Sequence, residues 1–155
     1  MIANASLSSH NRKIILVAED NADDVVLLQR AFRQARLTHP IRVVEDGAEA
    51  IAYLQGERQF ADRRQYPMPD LLLLDLKMPN KDGFQVMEWI RTQPTLRHLP
   101  IVVVATSERV FDVQRAFQLG AAFFLLKPLE LSDVIQLRPV LEDTIDEPVS
   151  FAGVR

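Results

Sequence analysis

Five short apolar runs recur along this chain: KIILVA, IRVVE, DLLLLD, PIVVVA and AFFLL. Each is brief, greasy and rich in branched residues, which is the pattern of a strand buried on both faces. Each is followed by a stretch with helical spacing. In NADDVVLLQRAFRQAR, Val25, Leu28, Phe32 and Ala35 fall on one side, and the acids sit in the first turn, where the helix dipole favours them. GAEAIAYLQ is a short helix. GFQVMEWIRTQ places Phe84, Met87 and either Ile90 or Trp89 together, and Pro94 is expected to end it. In SERVFDVQRAFQLG the core-facing spacing is Val110, Val113 and Phe117, Phe111 lies off that face, and Gly120 closes the helix. LELSDVIQLRPVLED is the last helix, and Pro139 is expected to kink or end it, since it lacks an N–H and collides with the preceding turn. Five strand–helix units predict an α/β fold: a doubly wound, five-stranded parallel sheet with right-handed crossovers and helices on both faces.

The length of 155 residues favours one domain. It is expected over residues 13–142, between a flexible N-terminal tail at 1–12 and a disordered C-terminal tail at 143–155. The polar, Arg- and Gln-rich stretch 56–69 is expected to be a surface loop or helix extension. A net charge of -3, from 18 basic and 21 acidic residues, argues against a nucleic-acid grip, which needs a basic patch. The chain has no cysteine, which excludes disulfides, thiolate catalysis and Cys-based zinc sites. The polar N-terminus lacks the apolar core of a secretory signal, and no apolar run approaches the ~20 residues of a membrane helix. A cytoplasmic protein is expected.

In such sheets, sites form beyond the carboxyl ends of the strands. Those ends carry Glu19 and Asp20, then Asp75, then Ala105, Thr106 and Ser107, then Lys127. Taken singly, each has a plainer reading. Glu19 and Asp20 could cap the next helix, Asp75 could start a turn, Thr106 or Ser107 (with Glu108) could cap the fourth helix, and Lys127 could be a surface lysine. Their coincidence at one edge is what carries weight. Three carboxylates repel one another, and a hard divalent cation held through oxygens, with Mg²⁺ the expected ion, would relieve that repulsion. With a lysine and hydroxyls at the same point, the set suits a phosphoryl group.

The acidic pair ED at 19–20, DLKMPNKDG at 75–83, the hydroxyl-bearing end of the fourth strand, LGA at 119–121 and KP at 127–128 occur in this order. The chain in this respect resembles the receiver domain of two-component response regulators, over residues 13–142. The resemblance implies a flavodoxin-like strand order 2-1-3-4-5. It implies that Asp75 accepts a phosphoryl group from a sensor histidine kinase. Mg²⁺ would be held by Asp20, Asp75 and the backbone carbonyl of Lys77, with Glu19 acting through a water. Lys127 would pair with the carboxylate and then with the phosphoryl oxygens. Pro128 would follow a cis peptide, and Asp82-Gly83 would form the turn into the third helix.

The family places a Thr or Ser at the end of strand four, fifteen residues before the glycine matching Gly120; here that count lands on Ala105. Either the register slips to Thr106 or the switch hydroxyl is missing. Phe124 stands where the family has its mobile aromatic ring; the alternative is a plain core aromatic. The segment QGERQFADRRQYPMPD, together with DLKMPNKDG and ATS, resembles the branch served by phytochrome-type kinases, whose members often dimerise through their last helices and strands. Phe111 is the candidate interface residue. A response regulator with a downstream protein partner is therefore expected, with no nucleic-acid or membrane contact. Two rivals remain: a degenerate receiver acting as a constitutive docking module, and an aspartate-nucleophile phosphohydrolase. The hydrolase would want a second acid two residues beyond Asp75, where this chain has Lys77.

Overall fold

The computed structural model describes residues 12–142 apart from Glu108; both tails expected from the sequence, except Arg12, lie outside them. Five strands, β1 (Ile15–Ala18), β2 (Ile41–Val44), β3 (Leu71–Asp75), β4 (Ile101–Ala105) and β5 (Phe123–Leu126), alternate with five helices. These are α1 (Ala22–Gln34), α2 (Gly47–Gln55), α3 (Gly83–Arg91), α4 (Val110–Gln118) and α5 (Leu131–Leu141). The sheet is parallel throughout, in the order β2-β1-β3-β4-β5. The strand order is the flavodoxin-like one.

The leucines of β3 show why the strands read as unbroken apolar runs. Leu72 and Leu74 enter a core shared with α2, α3 and Ala116 of α4, whereas Leu71 and Leu73 enter a second core closed by α1 and α5. All four are buried. Such a strand cannot slip by one residue without exchanging its two buried faces, so the position of its last residue is fixed firmly.

Several expectations need correction. The third helix buries Val86, Met87 and Ile90, and Phe84 packs half-buried against the same core with the Arg115 guanidinium 4.4 Å from its ring centroid. That helix stops at Arg91, and Pro94 instead opens a short 3-10 turn. In α4 the one fully buried residue is Ala116; Val113 is half-buried, and Val110 and Phe117 are exposed. A small residue lets the helix sit close to the sheet, and the ion pair of Arg115 with Glu88 (2.6 Å) ties it to α3. Ser107 does not cap α4, whose N-cap position is Arg109. Pro139 lies inside α5, which runs on to Leu141. Pro139 and Ile135 are both exposed, so the i to i−4 hydrogen bond that proline cannot donate is missing on the solvent side of the helix. Residues 56–69 are no bare loop. Phe60 is buried and packs with Tyr53 and Tyr66, and Arg63 donates to the Tyr53, Leu54 and Tyr66 carbonyls, closing the end of α2.

His39, between α1 and β2, accepts the Lys13 backbone N–H on Nδ1 at 3.0 Å. Burial holds its pKa below the ordinary value; Glu142 and Asp70 oppose this, and Lys13 and Arg12 reinforce it. The folded state thus prefers neutral imidazole. The stability this supplies is present above the unfolded pKa and is lost as pH falls through the lowered folded value. The urea midpoint should therefore fall more steeply from about pH 7 to about pH 5 in the wild type than in His39→Gln. Parallel curves would refute this.

Candidate functional site

The carboxyl ends of β1 and β3 are register neighbours, Ala18 opposite Leu74, so Glu19 and Asp75 emerge side by side. Asp20 follows Glu19, and the three carboxylates place an oxygen each within 4.8 Å of one another. Glu19 and Asp75 are buried and Asp20 is exposed. The capping reading of the acidic pair fails, because Asn21 is the N-cap of α1 and accepts the Asp24 N–H.

Lys127, just past β5, reaches this cluster from across the sheet. Its Nζ lies 2.5 Å from Glu19 Oε1 and 3.2 Å from Asp75 Oδ2, with only 9% of the side chain exposed. Burial works against its ammonium, but the Glu19 hydrogen bond and the charges of Asp75 and Glu19 outweigh that and raise its pKa. Glu19 is pushed up to about 7, chiefly by burial; its bond to Lys127 pulls the other way and the Asp75 charge adds to the rise. The Lys127–Pro128 peptide is cis, as expected.

Asp75 Oδ1 accepts the Lys77 N–H at 3.4 Å, while the Lys77 side chain is exposed. Asp82 is the N-cap of α3 in a reciprocal pair with Gln85. Gly83 begins that helix hard against the end of β3. A Cβ there would come 2.4 Å from the Asp75 carbonyl oxygen and 2.9 Å from Leu76 Cα. Backbone on both sides cannot give way, so Gly83→Ala should cost about 1–3 kcal/mol in urea denaturation, and should slow chemistry at Asp75 by displacing its backbone. An unchanged midpoint would contradict this close packing.

The register at β4 is settled. Ala105 is the strand's last residue, buried, opposite Leu126, and its carbonyl accepts the Lys127 N–H at 2.8 Å. Thr106 and Ser107 follow it, exposed, on the wall of the open cleft that Asp20 and Asp75 also line. The strand-end side chain is therefore a methyl group. Phe124 is half-buried and packs against the core shared with Val103 and Ala116. Phe111 stands apart from the cluster and is 72% exposed.

One member of the cluster escaped the sequence reading. Asp24 Oδ2 also reaches Lys127 Nζ, at 3.2 Å. The signal was available: Asp24 sits one turn after Asp20, and side chains in the first turn of a helix lean back toward its N-terminus. Arg109 and Asp112 line the cleft as well.

An all-oxygen set at this spacing fits a hard divalent cation. The family model described as "Response regulator receiver domain" matches residues 15–137 of this chain. The chain belongs to that family. Receiver domains act in two-component signalling, taking a phosphoryl group from histidine kinases. This chain is 33% identical over 143 residues to response regulator Rcp1 of Synechocystis sp., covering 92% of this chain and 95% of that protein. It is similar in structure to the phosphorylated cyanobacterial phytochrome response regulator RcpA, with 36% identity, a TM-score of 0.71 and coverage of 85% of this chain and 92% of that one. The Mn²⁺-bound form of Rcp1 superposes with a TM-score of 0.69 at 33% identity, covering 89% of this chain and 97% of that one. Among the described residues, no helix of this receiver is long and apolar enough to cross a membrane.

Proposed function

We propose that Asp75 is the phosphoacceptor of this response regulator and that its donor is a phosphohistidine of a phytochrome-type sensor kinase. The carrying observation is the placement of Asp75: a buried carboxylate at the tip of a rigid strand, 3.2 Å from one ammonium and grouped with two further acids. Asp20, Asp75 and the Lys77 carbonyl would hold Mg²⁺, with Glu19, whose oxygens already meet Lys127 and the Asn21 N–H, contributing through a water. The ion would supply positive charge against the phosphoryl oxygens. An Asp75 oxygen attacks phosphorus; the P–N bond breaks, and its electron pair leaves with the imidazole, which takes up a proton. Lys127 offsets the negative charge brought to the site.

The receiver unit would span 13–142, with tails at 1–12 and 143–155. The chain would catalyse only its own phosphorylation and dephosphorylation, in the cytoplasm, and pass the signal to a protein partner. Phosphate adds about -1.5 to -2 charges; Lys127 and Thr106 would meet it, and Phe124 would carry the rearrangement. Because Ala105 provides no strand-end hydroxyl, a constitutive docking module is the second reading. Incubation with acetyl phosphate or phosphoramidate and Mg²⁺ should give one phosphoryl adduct, mapping to the peptide containing Asp75. No adduct, even with a cognate kinase, would favour the docking module, and turnover of added phosphoesters would favour a hydrolase.

Phe111 and its exposed neighbour Val110 are proposed as part of a homodimer face. Phe111→Asp should then delay elution in size-exclusion chromatography to the monomer position. An unchanged elution volume would remove Phe111 from any such interface.

A further inference from the structure

We propose that Asp24 is a positioning residue that competes with the acceptor site for Lys127 and so restrains phosphoryl transfer. The inference rests on Asp75 being the acceptor. An ammonium has three N–H donors, and three carboxylates surround this one: Glu19 at 2.5 Å, Asp24 at 3.2 Å and Asp75 at 3.2 Å. Of the three, Asp24 accepts a hydrogen bond from Nζ, whereas Asp75 stands as a charge partner, so an N–H held on Asp24 is withheld from an incoming phosphoryl oxygen until a partner yields.

The partners differ in how readily they can do so. The side chains of Glu19 and Asp75 are each 7% exposed, and neither can turn to water without moving buried structure. The side chain of Asp24 is 28% exposed, in the first turn of α1, and its backbone N–H is already satisfied by Asn21. Water can replace Lys127 at Asp24 at little cost. Asp24 is therefore the partner that yields.

Nor does Lys127 need Asp24 to stay in place. Glu19 holds it at the shortest of the three distances, and only 9% of its side chain is exposed, in a cavity it lines together with buried Leu129. Removing the Asp24 charge thus takes away a competitor while leaving the anchor. The contact is partly solvated, and pairs of that kind contribute up to about 1 kcal/mol, so relief of the competition should quicken transfer about two- to fivefold.

The test is the rate of adduct formation from phosphoramidate at saturating divalent cation, in the full chain. Asp24→Asn should form adduct about two- to fivefold faster than wild type. Asp23→Asn makes the same charge change one residue away on an exposed side chain, with no contact to Lys127, and should match wild type. Asp24→Glu, which restores the carboxylate, should return the wild-type rate; a merely structural role would not follow charge in this way. Asp24→Ala is the second variant, expected to behave as Asp24→Asn should the latter melt early. Equal rates for Asp24→Asn and Asp23→Asn, or a slower Asp24→Asn, overturn the inference alone. Absence of any wild-type adduct overturns it together with the acceptor reading.

Discussion

Asp75→Asn is expected to abolish the phosphoryl adduct outright while leaving the chain folded. The amide matches the carboxylate in shape, so the leucines that fix β3 feel no change, and its oxygen can still accept the Lys77 N–H. It lacks the charged oxygen that must attack phosphorus. Neither neighbour can substitute: Glu19 is buried with one oxygen on Lys127 and the other on the Asn21 N–H, and Asp20 is exposed at the mouth of the cluster. The folding cost should be small, within about 1 kcal/mol, because Lys127 keeps Glu19 and Asp24 and is not left as an unpaired buried charge. Intact-mass spectrometry after phosphoramidate treatment, beside a urea titration, reads both quantities. An adduct of wild-type yield in Asp75→Asn would place the acceptor elsewhere. Loss of the adduct together with the fold would leave the amide's supposed fit wrong.

The two-sided burial of β3 was legible from the chain because an unbroken leucine run followed by an acid has few other physical meanings in a chain of alternating strands and helices. The same logic placed Glu19, Asp75 and Lys127 at one edge, and the structure brings all three within ion-pair reach. The identity of the strand-end residue on β4 was not legible. Ala105 and Thr106 differ by one position, and only the bond from the Lys127 N–H to the Ala105 carbonyl decides between them. The orientation of α4 was hidden for a different reason. Its apolar residues fall at several spacings, and Val110, Val113 and Phe117 were assigned inward, whereas a helix tied down by Arg115 can bury one alanine and leave Val110 and Phe117 outside, beside Phe111, which was read off the core face and is exposed. The aromatic group of Tyr53, Phe60 and Tyr66 was masked by the arginines around it, one of which, Arg63, is itself bonded to helix carbonyls. Asp24 was passed over because it looked like one more acid favouring the helix dipole.

Lys127→Met tests the cluster from its other side and should be the more damaging change to stability. Methionine preserves much of the stem's length and its packing, so the principal loss is the charge. Glu19 and Asp75, each 7% exposed at the side chain, would then face each other with no cation between them. Removing one partner of a buried pair costs about 3–5 kcal/mol, and the low end, about 3 kcal/mol, is expected here because the cluster opens to solvent at Asp20 and Asp24. The cost has a pH signature. Glu19 already titrates near 7 in the fold, against 4.5 as its ordinary value, and loss of the ammonium raises it further. A carboxyl with a raised folded pKa destabilises the fold above that pKa and ceases to do so below the unfolded value. The gap between Lys127→Met and wild type in urea denaturation should therefore narrow as pH falls from about 7.5 to about 5. Adding Glu19→Gln should recover much of the loss at neutral pH and flatten the pH dependence, since it removes one of the two opposed charges. If Lys127→Met instead unfolds at the wild-type midpoint across that range, the ammonium is not what holds the two acids together, and the close approach of Glu19 to Asp75 must be sustained by packing alone.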